Sequence, residues 1–329
     1  VTGIGVVSAA GIGVEAFWDG LCGPAPEGVR RVHDFDPTEH FDNPKEARRT
    51  DRFTQFAMAA AAEAFASAGP SLAPDPDKAG VIVGTGVGGL ETVETQVMTF
   101  HEKGPRRVSP FLVPMMMSNA AAAGISMRYG WRGPCQTVVT ACAAGTHSVG
   151  DAARLVASGR CDAVVTGGSE AALTPVGLQG FINMTATSTA GISRPFDAER
   201  DGFIAGEGCG ILILEEWGAA EQRGATILAE VLGAASTADA HHITAPSPGG
   251  SGAISCMELA LADAGIGPAD VGHVNAHGTS TPLNDAAEAE AMAKLFGAPG
   301  PPVTSVKGVL GHALGAAGAL EAVAAVLTL

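Results

Sequence analysis

Short apolar runs that alternate with longer Ala- and Gly-rich segments constrain this chain more than any other feature. Residues 80–84 (GVIVG), 163–167 (AVVTG) and 209–215 (CGILILE) are rich in β-branched residues and read as strands buried on both faces. Ahead of the first of these runs, residues 53–69 carry Ala and Phe at helical spacing and stop at Gly69 and Pro70, a helix terminator. With 45 glycines and only 5% aromatic residues, the chain suits helices lying close on a sheet.

The same alternation runs from end to end. A strand over 1–9 precedes a helix over 14–22, and a buried strand over 137–140 precedes a helical pattern that continues through 152–157 to Gly159. Further on, strands at 226–232, 271–276 and 302–306 alternate with helices at 249–265 and 285–296. An α/β architecture of two βαβ-rich halves, 1–224 and 225–329, follows.

Composition narrows the function. The 329 residues are 46% hydrophobic, enough for a large core, yet no apolar run reaches the roughly 18 residues of a membrane span. The net charge of −15 opposes nucleic acid and anionic membranes. Six cysteines are scattered without CxxC or Cys/His metal spacing, so neither a disulfide nor a metal is expected, and reduced thiols point to the cytoplasm.

One cysteine stands apart. Cys142 falls where the 137–140 strand turns into a small-residue helix, and unpaired backbone N–H groups at a helix start favour a thiolate. It is a candidate nucleophile, although position alone favours a packed core cysteine. Residues 84–89 (GTGVGG) match a dinucleotide-binding GxGxxG, but only a Gly/Pro loop follows where an acidic residue should sit, so the motif reads as a close backbone turn. His277 (NAHGTSTP) and His312 (SVKGVLGHALGAAG) occupy contexts like that of Cys142, each where an apolar strand or small-residue helix begins or ends. Three reactive groups in matching contexts favour a site.

TACAAGTHSVGDAARL, NAHGTSTP and SVKGVLGHALGAAGALE together resemble the active-site segments of β-ketoacyl-(acyl carrier protein) synthases, and SRPFDAERDGFIAGEGCGILILEE fits the same family. Two histidines resemble the elongating branch of type II fatty-acid synthesis. The resemblance implies a thiolase-like layered α-β-α-β-α fold of two related βαβαβαββ halves, a homodimer, and no cofactor beyond the phosphopantetheine of the acyl carrier protein. It implies that Cys142 accepts the acyl group, His277 and His312 stabilise the enolate, and Lys307 and Glu321 support the histidines. Thr279 and Thr281 would hold the phosphopantetheine arm. Phe111, Met115 and Met117 are acyl-pocket candidates, and Lys45, Arg48, Arg49, Arg106 and Arg107 resemble the positions that face the carrier.

The resemblance leaves alternatives open: a polyketide ketosynthase of the same chemistry, a thiolase, a noncatalytic chain-length factor, or, on residue types alone, a Cys/His protease. The chain begins inside a strand and stops before the NSFGFGG-type loop of the family, so the gene product is expected to be longer.

Overall fold

The computed structural model describes all residues, Val1–Leu329. A six-stranded mixed sheet orders β1 (Gly3–Ser8), β2 (Gly11–Ile12), β3 (Ala79–Gly84), β4 (Cys135–Gln136), β5 (Ala163–Glu170) and β6 (Gly208–Glu215) as β2-β1-β6-β5-β3-β4. β3 runs parallel to β4 and β5, and β6 antiparallel to β5 and β1.

Alternation along the strands gives the sheet two apolar faces. Val165, Ile211 and Ile213 face helix Arg52–Ala68 and share its cluster with Val81 and Val83, which helix Ala120–Tyr129 covers, while Ile82, Val164, Leu212 and Leu214 join a second cluster with Ala316, Leu320 and Val323. Helices Ala144–Ala157 and Ala317–Thr328 cover that second face. The Ala-rich sequence of helix Arg52–Ala68 has a direct structural cause: it lies on the backbone of β1. A Cβ added at Gly5 would stand 2.0 Å from the Ala60 carbonyl oxygen, and one at Gly3 2.3 Å from that of Ala64. Asp51 caps the helix by accepting from the Phe53 N–H, and Gly69 at φ 84° ends it.

The second half contains helices Ser251–Ala264 and Pro282–Phe296 and a parallel pair, β7 (Val274–Asn275) and β8 (Val303–Thr304). The α/β class stands, but two strand expectations are corrected. Residues 226–232 form no strand: the segment joins neither sheet and makes two backbone hydrogen bonds to Val1, ahead of β1. It borders an open apolar hollow of about 990 Å³ lined by Val149, Leu212, Val231, Met257 and Val326. The strand placed at 137–140 lies earlier, at Cys135–Gln136 opposite Val81 and Ile82, and beyond it only the Thr85 N–H, donating to the Val138 carbonyl at 3.1 Å, continues the contact. The βαβ-rich pattern is therefore fully built only in the first half, and the second contributes two-residue strands.

Candidate active site

Cys142 sits in the single turn Ala141–Ala143 that opens into helix Ala144–Ala157. Ala141 adopts φ 51°, a left-handed conformation costly for a residue with a Cβ, and such strain concentrates at functional turns. The helix start does not give the low thiol pKa expected from sequence. Burial pushes the Cys142 thiol up, Lys307 and its own backbone N–H pull it down, and Glu170 and Glu321 push it up further. Desolvation outweighs the helix end, so the resting group is a thiol.

β7 delivers His277. Both oxygens of the Glu288 carboxylate accept backbone N–H bonds there, from His277 at 2.6 Å and Gly278 at 2.8 Å, which fixes the loop against helix Pro282–Phe296. Lys307 Nζ lies 3.3 Å from His277 Nδ1 and donates to the His277 carbonyl at 2.6 Å. It also pairs with Glu321, almost wholly out of solvent. Lys307 can only donate, so His277 accepts at Nδ1 and carries its proton on Nε2.

His312 reaches the same tautomer by another route. Its backbone N–H donates to the Ile204 carbonyl at 2.7 Å and its carbonyl accepts from Gly206, which stitches it to the segment ahead of β6. The Leu314 N–H donates to Nδ1 at 3.3 Å, leaving the proton on Nε2. The Phe203 ring stands edge-on at 5.3 Å, and the two imidazoles meet at 5.4 Å and 85°. Burial pushes His312 down to about 3, with Lys307 acting in the same direction. Burial, then Lys307 and His312, hold His277 well below the usual imidazole value.

Two rings that stay neutral near pH 7 thus present N–H donors beside a thiol. The Cys142, His277 and His312 ligand atoms lie within 4.8 Å of one another. A Cys–His–His set could ligate a soft metal, but the Lys307 side chain beside His277 opposes a second cation. The arrangement suits acyl transfer to sulfur and stabilisation of an oxyanion.

Of the other sequence candidates, Thr279 and Thr281 follow His277 with their hydroxyls 2.9 Å apart. Lys307 and Glu321 lie at the cluster, as described. Lys45, Arg48, Arg49, Arg106 and Arg107 are all exposed, and the Arg49 guanidinium stacks 4.6 Å over the Phe111 ring. Met115 borders a small polar hollow with Arg48 and Asp51, and Met117 is exposed. No hydrogen bond or ring contact ties Phe111, Met115 or Met117 to the cysteine and histidines.

Sequence reading passed over Glu288, Phe203 and Glu170. Nothing local singles out Glu288 among the acids of its helix. Glu170 did leave a trace, since an acidic residue that closes a buried apolar strand must find partners.

A layered α/β fold with a half-buried thiol beside two neutral imidazoles defines a thiolase-like acyl-transfer enzyme. More specifically, the chain belongs to the β-ketoacyl synthase family: the model of its N-terminal domain matches residues 23–220 and that of its C-terminal domain 228–329. It is 44% identical to 3-oxoacyl-[acyl-carrier-protein] synthase 2 of Synechocystis over 100% of its own length and 84% of the relative's. Vibrio cholerae has a protein of the same name, 42% identical over 100% of this chain and 85% of that one. Among solved structures, the ishigamide ketosynthase/chain length factor superposes with a TM-score of 0.92 at 33% identity, covering 100% of this chain and 85% of that chain.

Proposed function

We propose that this protein is a 3-oxoacyl-[acyl-carrier-protein] synthase that extends a fatty acyl chain by decarboxylative condensation. The observation that carries the reading is the convergence of one sulfur and two neutral imidazoles. In the first step Cys142 Sγ bonds to the acyl carbonyl carbon, the bond to the pantetheine sulfur breaks, and the thiol proton leaves with that sulfur. In the second, the malonyl C–C bond breaks, CO₂ departs, and its electron pair forms an enolate whose oxygen receives hydrogen bonds from Nε2 of His277 and His312. The enolate carbon then attacks the acyl carbonyl on Cys142, the C–S bond breaks, and a β-ketoacyl thioester is released. Preorganised donors of this kind contribute roughly 3 kcal/mol each to the transition state.

The substrate arrives on the phosphopantetheine of an acyl carrier protein, which Thr279 and Thr281 hold, and no other cofactor is required. Lys45, Arg48, Arg49, Arg106 and Arg107 form the docking surface for the acidic carrier. The Arg49–Phe111 stack supports that assignment by tying the first basic group to the segment that follows the second. Phe111, Met115 and Met117 contribute to the acyl pocket. The protein works as a homodimer in the cytoplasm, with halves divided near residue 224. Exposed Val97, Met98 and Val113 offer apolar surface for dimer contact.

A polyketide ketosynthase shares this chemistry, and a type II polyketide acyl-carrier protein in complex with its ketosynthase is another solved relative, at 33% identity. The curated relatives at 42–44% identity favour the fatty-acid reading. Mass spectrometry after incubation with acyl-carrier thioester tests the proposal. An acyl adduct on Cys142 that is lost in Cys142→Ala is expected, and an unmodified wild-type protein would overturn it.

A further inference from the structure

Glu170 is completely buried at the end of β5, yet the condensation chemistry has no use for it. Its carboxylate is the meeting point of two loops. One oxygen accepts from the Thr85 hydroxyl at 3.1 Å; the other accepts from the Gly86 N–H at 2.5 Å and the Gly315 N–H at 3.1 Å. Thr85 in turn accepts from the Gly88 N–H, so the glycine loop that resembles a phosphate cradle turns its amides toward a carboxylate of its own chain.

The packing leaves no room for a further side chain at this junction. A Cβ on Gly315 would stand 2.2 Å from the Gly86 nitrogen, and one on Gly168 2.4 Å from the Gly315 carbonyl oxygen. The turn held in this way, Leu314–Ala316, begins with Leu314 at φ 45°. Its consecutive amides have separate tasks: Leu314 N–H donates to His312 Nδ1, and Gly315 N–H donates to Glu170. A turn carrying a left-handed leucine keeps that geometry only where its surroundings impose it.

We propose that Glu170 is a positioning residue for the decarboxylative half of the reaction. Its oxygens anchor the Leu314–Ala316 turn to the Gly86 loop and so hold His312 in the tautomer that donates from Nε2. Burial pushes the Glu170 carboxyl up to about 7 against the pull of the Gly86, Gly315 and Thr85 hydrogen bonds. Acceptor geometry rather than charge is what the turn requires, because a side-chain amide oxygen can receive both N–H groups while its NH₂ donates to the Thr85 hydroxyl.

This inference rests on the condensation reading, and the test separates the two. Full-length Glu170→Met, Glu170→Asp and Glu170→Gln are compared with wild type in two assays, acyl transfer to Cys142 from acyl-carrier thioester and CO₂ release from malonyl-carrier thioester. The Met variant removes the acceptors and the Asp variant withdraws them by one methylene. Both should lose CO₂ release about 100-fold, the scale of a misplaced reacting group, while acyl transfer falls no more than about threefold. Glu170→Gln should stay within about threefold of wild type in both assays. Should the Met variant fail to fold, as judged by thermal unfolding, the Asp and Gln pair decides. Equal losses in both assays, an Asp variant with wild-type CO₂ release, or a Gln variant as impaired as Asp would each overturn the proposal. Wild-type protein inert in both assays would count instead against the condensation reading.

Discussion

The cysteine and the histidines are held by opposite means. Cys142 leaves a region built of long ladders and apolar packing, in which β5 and β6 pair over eight registered positions and helix Ala144–Ala157 lies against the sheet. The histidines come from a region whose strands are two residues long, and there charge and hydrogen bonding set the geometry: Glu288 grips the His277 loop, Lys307 bridges His277 and Glu321, and the Leu314 amide fixes His312. Cys142, resting as a thiol, needs a fixed position and a route for its proton. A donor to an enolate needs a fixed position, a chosen tautomer and a suppressed pKa; polar neighbours choose the tautomer, and burial, with Lys307 adding to it, suppresses the pKa.

The largest test of this contrast is His312→Ala, which leaves no side-chain donor. It should reduce CO₂ release from malonyl-carrier thioester by about 10²- to 10³-fold, the usual loss for one oxyanion donor, while acyl transfer to Cys142 proceeds; His312→Asn, which keeps an N–H donor, should lose less. Parallel losses in both half-reactions would break the division between nucleophile and donor. On the other side, Gly5→Ala forces a methyl group into the Ala60 carbonyl. It should lower unfolding free energy by about 3 kcal/mol in urea titration, an overpacking cost in the region that depends on packing. An unchanged midpoint would show that helix and sheet can separate cheaply.

Smaller effects sharpen the polar side. Arg48→Glu combined with Arg49→Glu should raise the apparent KM for the acyl-carrier substrate about tenfold and spare a small thioester mimic. Equal loss on both substrates would remove the basic surface from the docking account. The smallest effect is a pH slope. Both imidazoles are held below their ordinary value of 6.5 in the fold, so the unfolded chain binds protons that the folded chain refuses. Their contribution to stability is complete above that value and is lost as pH falls, down to about 3 for His312. The loss is about 1.4 kcal/mol per pH unit for each ring. Glu170 acts in the opposite sense, since its raised pKa favours the folded state at lower pH. Comparing urea unfolding of wild type and His312→Asn between pH 7 and 5 isolates one ring; identical slopes would contradict a neutral buried His312.

Much of this was legible in the chain. The strands that became β3, β5 and β6 announced themselves as β-branched runs, and helix Arg52–Ala68 as an Ala/Phe pattern bounded by Gly69. Cys142, His277 and His312 were recognisable because each sits in a short motif whose local geometry, a turn beside a small-residue helix or at a strand end, is set by its immediate neighbours. Elements that depend on a partner strand are less legible: residues 226–232 have strand composition but join neither sheet, and β4 pairs only where Val81 and Ile82 face it.

The sequence by itself determined the alternation of strands and helices and the chemical types placed at their ends, because propensity, periodicity and turn residues act over a few neighbours. Only the tertiary structure decided that Cys142 rests as a thiol, that both imidazoles stay neutral with the proton on Nε2, and that Glu170 and Glu288 grip loops distant in the chain. Desolvation and hydrogen bonding depend on which groups surround an atom in space, and those groups come from separate segments that only folding brings together.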